Sequence, residues 1–411
     1  MLKRLVLVAA GLLVAVLITE LGLRVLARFN APVRYLVTMG EALERPAFKS
    51  LEAYLTSKAP QVQPHRGYLN FWTNALGLHD LEFVVPKPAG RFRIMALGDS
   101  FTYGLVPYPD AVMTRLEDAL RSACPRLDLD VLNFGTGGAE VWDYKAIVEL
   151  GAQTFEPDLV LINFYAGNDG PDLYASLPRS RPRRGFQRSY LTRYVRNVIE
   201  LATGLERNGD GPSPPNPRPT GSSGVQGGAI IDPVRPLGPN DRRLIGPTFT
   251  EEKFIEVMWD ELRRFARPAE AADPEATWQP TLTTLEVIRH KVAARGSRLA
   301  IAIYPSALQV HRDMREALIE ELRARPRFAR LLPAEIDPQL PNRVVFDYCR
   351  AAGIACYDVT PDLVAASRES PEPLYKRRDT HWTVHGNRVV AEAQARWLRD
   401  LVCPAGLSEE R

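Results

Sequence analysis

The sequence predicts an α/β fold: a three-layer α/β/α, doubly wound parallel sheet preceded by an N-terminal transmembrane helix. Three observations lead there. From about residue 92, short apolar runs alternate with amphipathic stretches, the rhythm of strands joined by crossover helices. Those apolar runs are nearly continuous, as strands covered on both faces require. The first residues form a separate uncharged apolar run.

That first run comes directly after Lys3 and Arg4 and extends from Leu5 to Ile18, 14 residues without a charge. Extended through Glu20 to Leu23, a helix there spans roughly 28 Å at about 1.5 Å per residue, close to the hydrocarbon thickness of a bilayer. A signal peptide has a core of similar length, but its cleavage needs small residues, and Leu23, Arg24, Val25, Leu26, Ala27 and Arg28 follow instead. An uncleaved single-pass anchor over residues 1–28 is therefore favoured over a cleaved signal or a buried helix. Either targeting reading puts the remaining chain outside the cytoplasm, in the periplasm or beyond the cell. Arg24, Arg28 and Arg34 nearly balance Lys3, Arg4 and the terminal amine, so charge alone sets the orientation weakly.

A lead-in segment, 29–90, then precedes a domain covering 91–403. Its strands are predicted at Phe92 to Leu97, Leu127 to Phe134, Leu159 to Tyr165, Arg298 to Tyr304 and Gly353 to Tyr357. Helices are predicted at Ala111 to Ala123, Trp142 to Gln153, Leu282 to Ala294, Ala307 to Ala324 and Val384 to Leu401. An insertion at about 176–280 interrupts the rhythm. Its stretch from Asn208 to Gly246 is dense in Pro, Gly, Ser and Asn, a composition suited to a flexible loop. Before that stretch, Arg179, Arg181, Arg183, Arg184, Arg188, Arg193 and Arg196 form a basic segment, a solvated surface or a contact for anionic lipid headgroups or an acidic polymer. After it, Phe249 to Phe265 is predicted helical and expected to cap the site.

Composition narrows the function classes. With 45% hydrophobic and 25% charged residues in 411, the chain is that of an ordinary globular protein. The 52 Lys and Arg against 49 Asp and Glu leave a formal charge of only +3, which gives nucleic-acid binding no electrostatic support. Cys124, Cys349, Cys356 and Cys403 contain no CxxC pair. They point to neither a zinc ribbon nor a disulfide-dense scaffold, and allow two, one or no disulfides.

In a doubly wound sheet, ligands bind beyond the carboxyl ends of the strands. The first strand ends in Gly98-Asp99-Ser100, which puts a serine hydroxyl where a nucleophile belongs; read alone, the same tripeptide is a tight turn with a helix cap. It is not a GxSxG elbow, because Thr102 stands where the second glycine would be. The second strand ends in Asn133-Phe134-Gly135-Thr136-Gly137-Gly138, whose glycines let backbone amides approach an oxyanion or a phosphate. The GxGxxG fingerprint fails there at Glu140. After the third strand come Ala166-Gly167-Asn168-Asp169, either an Asx-turn or an amide donor to an oxyanion. Late in the chain, Asp379-Thr380-His381-Trp382 sets a carboxylate two residues from an imidazole, the spacing for holding one ring nitrogen while the other takes a proton. Asp379, His381 and His385 also make a candidate metal set, which no further acidic or histidine cluster supports.

Four such blocks in this order resemble the SGNH (GDSL-type) hydrolase superfamily, over about residues 70–175 and 280–402. Asn74-Ala75-Leu76-Gly77-Leu78 is similar to a lead-in of its anchored bacterial members. The resemblance implies a flavodoxin-like sheet and, position by position, Ser100 as nucleophile, His381 as base and Asp379 as the acid that orients it. It also implies an oxyanion hole from the Ser100 and Gly138 amides and the Asn168 side chain, with no metal and no cofactor. The last block departs from the superfamily's usual spacing, since only Thr380 separates Asp379 from His381. In this it is similar to the periplasmic alginate O-acetyltransferase group. The function expected is a membrane-anchored serine esterase or deacetylase acting on acyl esters of envelope carbohydrate or lipid. An O-acyltransferase using the same residues, and a noncatalytic envelope-binding protein on a retained fold, are the alternatives.

Overall fold

The computed structural model describes residues 2–29, 48–58, 62–69, 71–171, 189–192, 194, 195, 198, 240–267, 274–329, 332 and 335–403. Five parallel strands make the central sheet: β1 (Phe92–Gly98), β2 (Leu129–Gly135), β3 (Leu159–Tyr165), β4 (Arg298–Tyr304) and β5 (Ala355–Asp358), in the order 2-1-3-4-5. The register pairs Gly98 with Gly135 and Tyr165 with Tyr304, so these strands end level at one edge. Parallel pairing requires crossovers, and the helices that supply them cover both faces.

Strand side chains alternate between two cores, as the twofold strand period dictates. Met95, Leu97, Phe134, Ile162, Phe164 and Ile303 point to one. Over it lie α2 (Leu51–Ser57), α5 (Val141–Phe155), α6 (Glu251–Leu262), α7 (Pro274–Ala293), α8 (Arg312–Ala324) and α9 (Leu340–Ala352). Ile94, Ala96, Leu161, Ala302 and Tyr304 point to the other, covered by α4 (Val112–Ala123), α10 (Thr360–Glu369) and α11 (Val384–Val402). Between β1 and α4 sits one further helical turn, α3 (Ser100–Tyr103).

The amino-terminal residues form a 28-residue helix, α1 (Leu2–Phe29). Among the described residues no helix is long and apolar enough to cross a membrane. The described part of α1 nevertheless leaves Leu12, Leu13, Leu17, Ile18 and Leu21 about 60% exposed.

The arginines at 179, 181, 183, 184, 188, 193 and 196, and the part of the expected flexible loop at 208–239, lie outside the described residues. The rest of that loop is ordered: Asp241 caps a short helical turn, Arg242–Ile245. Of the four cysteines, Cys124 and Cys403 are joined, with Cα atoms 5.8 Å apart, and Cys349 and Cys356 are free.

Candidate active site

The sheet carries β2 on one side of β1 and β3 on the other, so the chain reverses direction around β1 and a crevice opens at its carboxyl end. Asp99 follows there, its carboxylate accepting the Phe101 amide at 2.9 Å and so starting α3. Ser100 is the first residue of that turn and is half-buried.

His381 reaches it from the far end of the sequence on a hairpin. Tyr375 and Trp382 form an antiparallel bridge, the Lys376 amide donates to the His381 carbonyl at 2.9 Å, and the Thr383 amide donates to the Leu374 carbonyl at 2.9 Å. The Lys376 ammonium is buried and donates to the carbonyls of Leu105 and Arg243, tying this hairpin to the chain after α3 and to the insertion. Burial pushes that ammonium down to about 8. The insertion also adds the Arg377 amide donating to Ile245 and the Phe249 amide donating to Arg378. Gly246 lies flat against the Arg377 carbonyl at φ +77°, a close approach that leaves no room for a Cβ.

Ser100 and His381, 281 residues apart, meet at 2.7 Å between Oγ and Nε2. On the other ring edge, Nδ1 is 2.6 Å from Asp379 Oδ1, which also accepts the His381 amide at 3.0 Å. Burial pushes the Asp379 carboxyl up. The His381 ring, the Thr248 hydroxyl and the His381 amide outweigh it and hold the group at about 2. An ionised carboxylate only accepts, so Nδ1 carries the ring proton and Nε2 presents a lone pair to the serine hydroxyl. The arrangement can withdraw the Ser100 proton as its oxygen attacks.

Gly138 lies exposed in the loop after β2 at φ +69°, and its N–H meets no acceptor among the described residues. Asn168 follows β3; its amide nitrogen donates to the Ala139 carbonyl at 3.0 Å, which joins the second and third blocks and leaves its other N–H to donate elsewhere. Asp169 is buried and turned inward, accepting the Tyr144 hydroxyl and the Tyr165 amide. Burial and the nearby Asp99 raise its carboxyl well above the ordinary range.

Ser100, Gly138, Asn168, Asp379 and His381 thus all lie on one edge of the sheet. His385 does not join them. Its Nδ1 lies 3.2 Å from the Glu372 carbonyl, and both ring nitrogens of His381 are engaged by Ser100 and Asp379. The candidate metal set is therefore divided between two places, and among the described residues no group of three potential metal ligands gathers. Thr248, Lys376 and a buried Glu261 were not visible as site residues in the sequence, because each approaches from an element without a motif.

The model of the SGNH hydrolase-like domain of the acetyltransferase AlgX matches residues 265–411. Over that stretch, about a third of its length, the chain is similar to an SGNH hydrolase-like domain of the AlgX type. Asp379 and His381 lie inside the matched stretch; Ser100, Gly138 and Asn168 precede it. No curated protein matches the sequence. Among solved structures, the chain is similar to a two-domain esterase (CEX) active on acetylated mannans, at 13% identity and a TM-score of 0.34, covering 78% of this chain and 52% of that one. It is also similar to a putative lipolytic protein of the G-D-S-L family from Desulfitobacterium hafniense DCB-2, at 12% identity, 75% and 100% coverage and a TM-score of 0.34. A third is a catalytic mutant of the acetylxylan esterase Axe2 from Geobacillus stearothermophilus, at 15% identity, 79% and 100% coverage and a TM-score of 0.36. The chain spans about half the length of the first of these.

Proposed function

We propose that this protein is a serine-dependent acyl-ester enzyme that works through an acyl-Ser100 intermediate. The observation that carries the reading is the continuous contact from Ser100 Oγ through the His381 ring to Asp379, at 2.7 and 2.6 Å. As Ser100 attacks an ester carbonyl, His381 Nε2 takes its proton and the ionised Asp379 stabilises the imidazolium. The amides of Ser100 and Gly138 and the free N–H of Asn168 receive the oxyanion. His381 then returns the proton to the leaving alkoxide, and an acyl-serine remains. Water resolving it makes the protein an esterase or deacetylase of envelope carbohydrate or lipid; a sugar hydroxyl resolving it makes an O-acyltransferase. The match to an acetyltransferase family model supports transfer as the second reading.

Catalysis belongs, on this reading, outside the cytoplasm with α1 as a membrane anchor. The Cys124–Cys403 disulfide fits an oxidising compartment, and the exposed apolar side chains of α1 suit a lipid environment better than water.

Purified wild type is expected to hydrolyse an aryl acetate and to label at Ser100 with a fluorophosphonate. Ser100→Ala abolishes both, and Asn168→Ala lowers turnover about 10² to 10³-fold while the protein stays folded. Wild-type turnover by Ser100→Ala protein contradicts the assignment; an unreactive Ser100 in wild type favours a noncatalytic binding protein. Adding a saccharide acceptor and identifying the acylated product separates transfer from hydrolysis.

A further inference from the structure

Glu261 lies on α6, inside the insertion, and is 6% exposed. Both of its oxygens are used. Oε1 accepts the Tyr165 hydroxyl at 2.8 Å, and Oε2 accepts the Ser306 hydroxyl at 2.5 Å. A carboxyl group held in a protein interior is costly unless its partners are fixed, so α6, the end of β3 and the chain after β4 are held at one point. Burial raises the carboxyl to about 7, with the charges of Asp99 and Asp379 acting in the same direction.

The residue it holds is central to the catalytic edge. The Tyr165 ring lies 4.2 Å from that of Phe101, the residue after Ser100, and the Phe101 ring lies 5.1 Å from the His381 imidazole. Phe101 also meets Trp382 edge-on at 4.7 Å. The Tyr165 carbonyl accepts the amides of Asn168 and Asp169 at 3.0 and 2.9 Å, so the same residue roots the Asn168 turn. Tyr165 thereby touches the support of both the base and the oxyanion donor, and its hydroxyl has Glu261 as its partner.

We propose that Glu261 is a positioning residue: by holding Tyr165 it sets the pose of His381 through Phe101 and of Asn168 through the β3 turn, which makes α6 a working part of the catalytic edge. The proposal rests on the acyl-serine reading. Orientation of this kind acts on the chemical step more than on substrate affinity.

The experiment uses the full-length chain, p-nitrophenyl acetate turnover and the rate of fluorophosphonate labelling at Ser100. Glu261→Ala and Tyr165→Phe are each expected to lower kcat and the labelling rate about ten- to a hundredfold with KM within about twofold. Glu261→Gln, which still offers an acceptor to Tyr165 and a donor to Ser306, recovers most of the rate. The Glu261→Ala, Tyr165→Phe double variant is no slower than the slower single one, because both remove the same contact. A kcat near wild type in Glu261→Ala overturns the proposal even if the protein melts earlier, since that is a purely structural role. Should Glu261→Ala fail to fold, a wild-type kcat in Tyr165→Phe overturns it equally. Wild type that does not label at Ser100 contradicts the acyl-serine reading itself, whereas normal labelling with unaffected variants contradicts only the role of Glu261.

Discussion

His79 is fully buried against the back of the Ser100 turn, with Nδ1 donating to the Tyr103 carbonyl at 3.0 Å and the rings of Tyr68, Phe71 and Tyr103 around it. Burial pushes its imidazole down to about 4. In the unfolded chain the ring takes a proton near 6.5, so between about 6.5 and 4 the unfolded state binds more protons than the folded one. The stability contributed by a neutral His79 is complete above pH 6.5 and lost as pH falls toward 4. Urea titrations at pH 7 and pH 4.5 are expected to show wild type losing up to about 3 kcal/mol more than His79→Gln; equal losses contradict this account of the buried ring. At this scale the sequence was informative where a side chain sits in a motif, as Ser100 and Asn168 do at strand ends and the Asp379/His381 pair does on the last hairpin. His79, Thr248, Lys376, Tyr165 and Glu261 stayed hidden because their work depends on a partner brought near only by folding.

The β3 and β4 strands match the expected spans, and β1 and β2 differ at their ends by one or two residues, since continuous apolar runs bounded by polar or glycine-bearing segments are unambiguous. Helices were harder to read. α7 starts at Pro274 rather than Leu282 because Pro280, which sequence reasoning treats as a breaker, is accommodated inside it. The expected single helix from Ala307 to Ala324 is divided at His311, whose extended backbone ends one segment and starts the next. α9 was missed altogether. Its apolar face is interrupted by a buried Asn342, which hydrogen-bonds Gln309, Asp358 and Thr360 instead of packing as a hydrophobe.

At the opposite edge from the site, the ends of α4 and α11 are joined by Cys124–Cys403, whose residues are 279 apart in sequence. Reduction, or Cys124→Ser, is expected to lower stability by about 2 to 5 kcal/mol in urea titrations while leaving the Ser100 labelling rate unchanged at low temperature. A parallel loss of labelling contradicts the separation of this link from the chemistry.

Over the whole molecule, the candidate catalytic edge is assembled from pieces far apart in sequence. The early strands bring Ser100, Gly138 and Asn168, the last hairpin brings Asp379 and His381, and the insertion braces that hairpin through Ile245, Gly246, Thr248 and Phe249. Doubly wound topology was legible because it needs only the alternation of buried runs and amphipathic stretches. How the insertion joins the hairpin was not, because those contacts run through backbone amides and carbonyls that every residue carries. The most direct test of the central claim is mass spectrometry of intact protein quenched during turnover of an acyl ester. The account predicts a mass increase of one acyl group, mapped to Ser100 and absent from Ser100→Ala. Turnover of the same ester with no acyl group on Ser100, at a rate unchanged in Ser100→Ala, would contradict it.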